Sequence, residues 1–103
     1  MDTKALDRKQ QSEIVFKQLS RFVADIIGND VIEEIGISQE SIFTKNLEMD
    51  SIEIVTFAEK VKQKYGREID FISWISKMKL QELNNLSIGQ VVDYIVNSNG
   101  SNQ

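Results

Sequence analysis

The chain has 103 residues, 41% hydrophobic and 27% charged, with 12 Lys and Arg against 16 Asp and Glu and a formal net charge of -4. That describes one domain around a single small core, and the acidic balance argues against nucleic acid as a partner, because phosphate binding needs clustered Lys and Arg. With no His and no Cys, the chain cannot build a Ser-His-Asp or Cys-His site, the usual zinc site, a disulfide framework or a CxxC pair. No metal site and no catalytic residue is predicted, so the protein is not expected to be an enzyme. Any reactive group has to be imported.

The longest apolar runs, such as Ile26-Ile27 and Val91-Val92, fall far short of a membrane span, and the first residues are polar where a signal peptide would be apolar. A cytoplasmic monomer with no membrane span is the expectation. Residues 1 to 11 are mostly polar and read as a flexible N-terminal arm. From about Ser12, the residues Val15, Leu19, Phe22, Val23, Ile26 and Ile27 recur at three-to-four spacing and predict a first helix that Gly28 and Asn29 end.

Residues 30 to 49 show no sustained period and read as a long first loop, with a short helical turn inside it as the alternative. Ile35, Ile37, Ile42, Phe43 and Leu47 are its candidate tethers to the core. Asp50 then serves as N-cap of a second helix, and Glu53, three residues on, closes a capping box. Ile54, Val55, Ala58, Val61 and Tyr65 supply the buried stripe, Ile52 and Phe57 lie off its centre, and Gly66 is the stop. Residues 69 to 84, rich in large apolar side chains, predict one or two short helices. A last helix opens at Ser87 with Gln90 as its box partner and buries Ile88, Val91, Val92, Ile95 and Val96; residues 98 to 103 read as a disordered tail. The pattern predicts an all-α fold, a small antiparallel four-helix bundle with a long first loop.

Charge is uneven. Between Asp25 and Glu53 there are eight acids and one base, Lys45, a balance of -7. Such a one-signed face steers basic partners. Ser51 lies at its centre, in the first turn of the second helix, where free backbone N–H groups and the positive end of the helix dipole suit a phosphate ester. As a nucleophile it has no base in this chain.

The stretch Asn46-Leu47-Glu48-Met49-Asp50-Ser51-Ile52-Glu53 resembles the modification site of acyl carrier proteins, where an Asp-Leu-Gly-x-Asp-Ser-Leu motif opens the second helix. The start of the last helix, Leu86-Ser87-Ile88-Gly89-Gln90, is also similar to that family's Thr-Val-Gly-Asp, and the resemblance spans residues 12 to 97. It implies that Ser51, flanked by Asp50 and Ile52, carries a 4'-phosphopantetheine arm placed there by a phosphopantetheinyl transferase. It implies further that the arm's thiol holds an acyl group for fatty acid, lipid or polyketide-type biosynthetic enzymes, with Glu48, Asp50 and Glu53 recognised by those partners. Val55, Phe57, Val61, Trp74, Ile75 and Met78 are candidate lining for an acyl pocket, with ordinary core the favoured reading of all six. The sequence departs from the family at Asn46 and Glu48, where the family has Asp and Gly. It departs again at Lys60, Lys62 and Lys64, where the family presents acids, and in the longer segment 67 to 86. These departures imply a specialised carrier. A peptidyl or aryl carrier of a nonribosomal peptide pathway, and a helical adaptor that is never modified, are the alternatives.

Overall fold

The computed structural model describes residues 7–67 and 69–100, with the side chains of the last two of these left aside. The described chain is all-helical. Its six helices are α1 (Arg8–Ile27), α2 (Asn29–Ile35), α3 (Ser51–Tyr65), α4 (Phe71–Ser76), α5 (Leu80–Asn84) and α6 (Ile88–Gly100). The only strand-like feature among the described residues is an isolated antiparallel bridge between Ile42 and Ser87.

α1 starts earlier than its apolar stripe. Asp7 caps it, its Oδ1 accepting from Gln10 N at 2.8 Å while Gln10 Oε1 accepts from Asp7 N at 3.2 Å. That reciprocal pair satisfies two backbone donors, and Arg8, Lys9, Gln10 and Gln11 are good helix formers. Residues 8 to 11 are therefore helical and not an arm; residues 1 to 6 lie outside the described residues. The tail is corrected in the same way: α6 runs on through residues 97 to 100, because a helix nucleated by a packed core propagates through weak formers such as Asn and Ser. Residues 101 to 103 lie outside the described part.

The long loop is shorter than periodicity suggests. Gly28, at φ 104°, ends α1 and begins α2, and Gly36, at φ 76°, ends α2. These two glycines take a left-handed backbone that other residues rarely adopt, so a seven-residue helix fits between them. Its exposed Val31 and Ile35 explain why no buried stripe marks it; Ile35 is 46% exposed and does not tether the loop. Phe43 and Leu47 do, both being buried.

The core unites α1 (Val15, Leu19, Val23), the loop (Phe43, Leu47, Met49), α3 (Phe57, Ala58, Val61), Phe71 of α4 and the whole inner face of α6, from Ile88 to Val96. α1 packs against α6, α3 and α2, and α3 against α4. Phe57 sits at the middle of an aromatic cluster, its ring 4.8 Å from Phe43, 6.1 Å from Phe71 and 6.4 Å from Phe22 between centroids. On α3 the buried stripe thus takes in Phe57 and leaves out Val55, a turn of roughly 30° about the helix axis. Phe57 is 1% exposed, and Val55, expected inside, is 59% exposed. At 100° per residue Phe57 lies nearer the centre of the Ile54, Ala58, Val61 and Tyr65 stripe than Val55 does.

The two predicted capping boxes are present. Asp50 Oδ1 accepts from Glu53 N at 2.8 Å and Glu53 Oε1 from Asp50 N at 2.9 Å. Gln90 Oε1 accepts from Ser87 N at 2.9 Å, with Gln90 N donating to Ser87 Oγ at 3.3 Å. The remaining early donors of α6 go to the loop: Ile88 N to Ser41 O at 2.9 Å and Gly89 N to Gln39 O at 2.8 Å. The loop is therefore clipped to the start of α6 by α6's own unpaired N–H groups.

Candidate functional site

The segment before α3 alternates inward and outward. Leu47 and Met49 are buried, while Glu48 and Asp50 are exposed. Its turn is closed by backbone bonds from Lys45 N and Leu47 N to Ile42 O and from Met49 N to Phe43 O at 2.9 Å. The Asn46 side chain takes part too, its Oδ1 accepting from Ile42 N at 2.8 Å. A short acceptor side chain is what this position requires, and Asn supplies it as well as Asp would.

Glu48 adopts φ 52°, the only non-glycine residue with positive φ among the described residues. A left-handed backbone costs an L-residue with a Cβ roughly 1–2 kcal/mol. The turn thus keeps a shape suited to glycine although its residue is Glu. Glu48→Gly is expected to raise the unfolding free energy by about 0.5–1 kcal/mol, since the relief exceeds the extra chain entropy that Gly loses. Urea unfolding of the two chains checks this; an unchanged or lowered midpoint contradicts it.

Ser51 is the first residue of α3 and is exposed. With Glu53 N bound to Asp50, the N–H groups of Ser51 and Ile52 and the Ser51 hydroxyl carry no protein hydrogen bond. Ile52 stands beside it at 75% exposure. Glu48, Asp50, Ser51, Ile52 and Glu53 are thus brought together at one helix end, with both capping carboxylates held by backbone N–H groups. A phosphodiester fits here: it would lie beside two free donors at the positive end of a 15-residue helix.

The surroundings hold residues that sequence reasoning did not assign. Val31 and Ile35 of α2 and Ile27 of α1 form a shallow pocket of about 220 Å³ with Leu47, Glu48 and Glu53. The helical signal of α2 was too short for a periodicity count, but its flanking glycines mark it. Lys60 of α3 lies 3.9 Å from Asp25 of α1 across the surface, an exposed pair worth about 0–1 kcal/mol.

The six candidate lining residues do not share one cavity. Phe57 and Val61 are packed core, Val55 faces outward, and Ile75 is half-buried against the core. Trp74 and Met78 line a different feature, an open cleft of about 630 Å³ bounded by α4, α5 and the start of α6. The Trp74 indole stacks on Tyr94 at 4.2 Å and 4°.

Among the described residues, no cluster of acids is placed to hold a metal ion, and no helix is long and apolar enough to cross a membrane. No family model, curated protein or solved structure matches the chain.

Proposed function

We propose that the chain is a carrier protein of the acyl carrier type, modified on Ser51. In this reading α1, α3, α4 and α6 are the four helices of the antiparallel carrier bundle, and α2 and α5 are additions to it. The observation that carries the reading is the turn from Asn46 to Ser51. At its two departures from the family motif, Asn46 acts as a side-chain acceptor and Glu48 takes the left-handed backbone that favours glycine, which supports the reading.

Attachment follows from the exposure of Ser51. Its Oγ attacks the phosphorus of coenzyme A nearer the pantetheine, the phosphoanhydride bond breaks, and 3',5'-ADP leaves. The hydroxyl proton passes to a base of the phosphopantetheinyl transferase, since this chain has no His and no base hydrogen-bonded to Ser51. The arm supplies a terminal thiol, absent from a chain without Cys, on which an acyl group is carried as a thioester. Ser51 N–H and Ile52 N–H stabilise the phosphodiester, and exposed Ile52 and Val55 beside Glu48, Asp50 and Glu53 form the face offered to the transferase and to acyl-transferring enzymes. The protein works as a cytoplasmic monomer.

The test is the intact mass after incubation with coenzyme A, Mg²⁺ and a broad-specificity phosphopantetheinyl transferase. The expected result is a gain of one phosphopantetheine that vanishes in Ser51→Ala. A folded chain that stays at its bare mass with transferases active on other carriers would make it an unmodified helical adaptor.

A further inference from the structure

The space between the helices around Phe57 is filled in this chain. Phe57 is 1% exposed and its ring meets those of Phe22, Phe43 and Phe71. A long alkyl chain entering there would have to break this cluster, whose ring pairs each add about 0.5–1.5 kcal/mol beyond area burial.

The cleft of about 630 Å³ between α4, α5 and α6 is open without any such rearrangement. Its apolar wall is Trp74, Met78 and Leu86, the indole already held flat against Tyr94. Its polar side is Lys77, Gln81, Glu82, Asn85 and Gln90, and one oxygen of the Glu82 carboxylate accepts from Lys79 N at 2.9 Å. Lys77 and Gln81 are exposed, and their side chains, like the side-chain nitrogen of Gln90, donate no hydrogen bond within the protein, while their backbones do bond: Lys77 N to Trp74 O and Asn85 Nδ2 to Gln81 O. Asn85 is by contrast fixed at both ends, accepting from Lys45 Nζ at 2.7 Å and donating to Gln81 O at 2.9 Å. The cleft therefore offers a flat apolar wall opposite unpartnered donors, one of them cationic, which suits a compact group bearing acceptor oxygens.

The edge of the cleft at Leu86 lies close to Ser51 along the chain's hydrogen bonds. Leu86 O accepts from Phe43 N, and Phe43 O accepts from Met49 N, two residues before Ser51. With hydrogen-bonded residues about 5.5 Å apart and consecutive Cα atoms about 3.8 Å apart, Ser51 and Leu86 are separated by at most roughly 19 Å. A phosphopantetheine arm has as many backbone bonds as about five residues of chain, roughly 17 Å when extended, and the serine side chain and acyl group lengthen it further.

The geometry points to this cleft as the resting site of the carried group, and to a compact planar cargo, an aroyl group with hydroxyl or carboxylate substituents, in place of a long alkyl chain. This rests on the carrier reading of Ser51. The test loads the full chain from coenzyme A, octanoyl-coenzyme A and 4-hydroxybenzoyl-coenzyme A with the same transferase, and follows three readouts: intact mass, emission of Trp74, which is the only tryptophan in the chain, and hydrolysis of the thioester.

The 4-hydroxybenzoyl form is expected to change Trp74 emission relative to the arm alone and, with each rate divided by that of its own free coenzyme A thioester, to hydrolyse about threefold more slowly than the octanoyl form, the scale of one hydrogen bond. Lys77→Ala combined with Gln81→Ala, at two exposed positions whose loss leaves the fold intact, is expected to remove both effects while loading proceeds. Absence of any mass gain overturns the carrier reading and the cleft with it. Loading with unchanged Trp74 emission overturns the cleft alone, and an equal or larger response to octanoyl overturns the cargo class.

Discussion

Phe57→Ala is expected to lower the unfolding free energy by about 3–5 kcal/mol, a large part of the 5–15 kcal/mol that holds a domain of this size. Phe57 is the one side chain in edge or tilted ring contact with α1 through Phe22, with the loop through Phe43 and with α4 through Phe71. Truncation leaves a cavity bordered by three bulky rings that cannot all close on it, so the cost should fall at the upper end of core truncations. Urea unfolding of both chains at low temperature measures the difference. A loss below about 1.5 kcal/mol would mean that the site collapses freely, and that the cluster is not the centre of the core.

The second large effect is expected at Gly89. A Cβ there would stand 2.9 Å from Gln39 O and 3.2 Å from Gln39 Cβ, because Gly89 N donates to that same carbonyl at 2.8 Å. Gly89→Val must push the loop away or distort the first turn of α6, at about 1–3 kcal/mol, the usual cost of overpacking. Since Val is also a somewhat better helix former than Gly, the measured loss understates the clash. Amide exchange localises the effect: Gly89, Phe43 and Met49 should lose protection together, while Val23 of α1 keeps its own. A Gly89→Val chain as stable as the parent would mean that the close approach imposes no constraint.

Two of the helices that carry sharp terminal chemistry, α3 and α6, were legible in the sequence, whereas the Asp7–Gln10 box that opens α1 was not legible within a polar stretch. Asp50 with Glu53, and Ser87 with Gln90, announce their helix starts because the reciprocal bonds need only residues three apart. The inner face of α6 was legible because Ile88, Val91, Val92, Ile95 and Val96 leave one choice of buried side. α3 was harder, since Val55 and Phe57 are both apolar and flank the stripe, and only packing against Phe22, Phe43 and Phe71 decides which is buried. α2 was hidden because a seven-residue helix with an exposed apolar edge has no period to count. At the site, Ser51 and its neighbours could be placed from the cap alone. The positive φ of Glu48 could not, because nothing in a glutamate signals a left-handed backbone; the residue lies between Leu47 and Met49, both buried. The cleft beside Trp74 depends on how α5 returns to α6, and no local pattern encodes that.

The clip between residues 39 to 43 and 86 to 89 also sets an order on synthesis. Its partners are separated by more than forty positions along the chain, and a ribosome releases residues at about 5–20 per second. While α6 is still inside the exit tunnel, Gln39 O, Ser41 O and Phe43 N have no counterparts, and the turn that leads into Ser51 lacks its anchor. A nascent chain can have its serine in the open for seconds before that serine is presented in its finished setting. α6 thus completes the anchoring of the segment ahead of Ser51, whereas the local bonds of that turn, Ile42 N to Asn46 Oδ1 and the Asp50–Glu53 box, need no part of it.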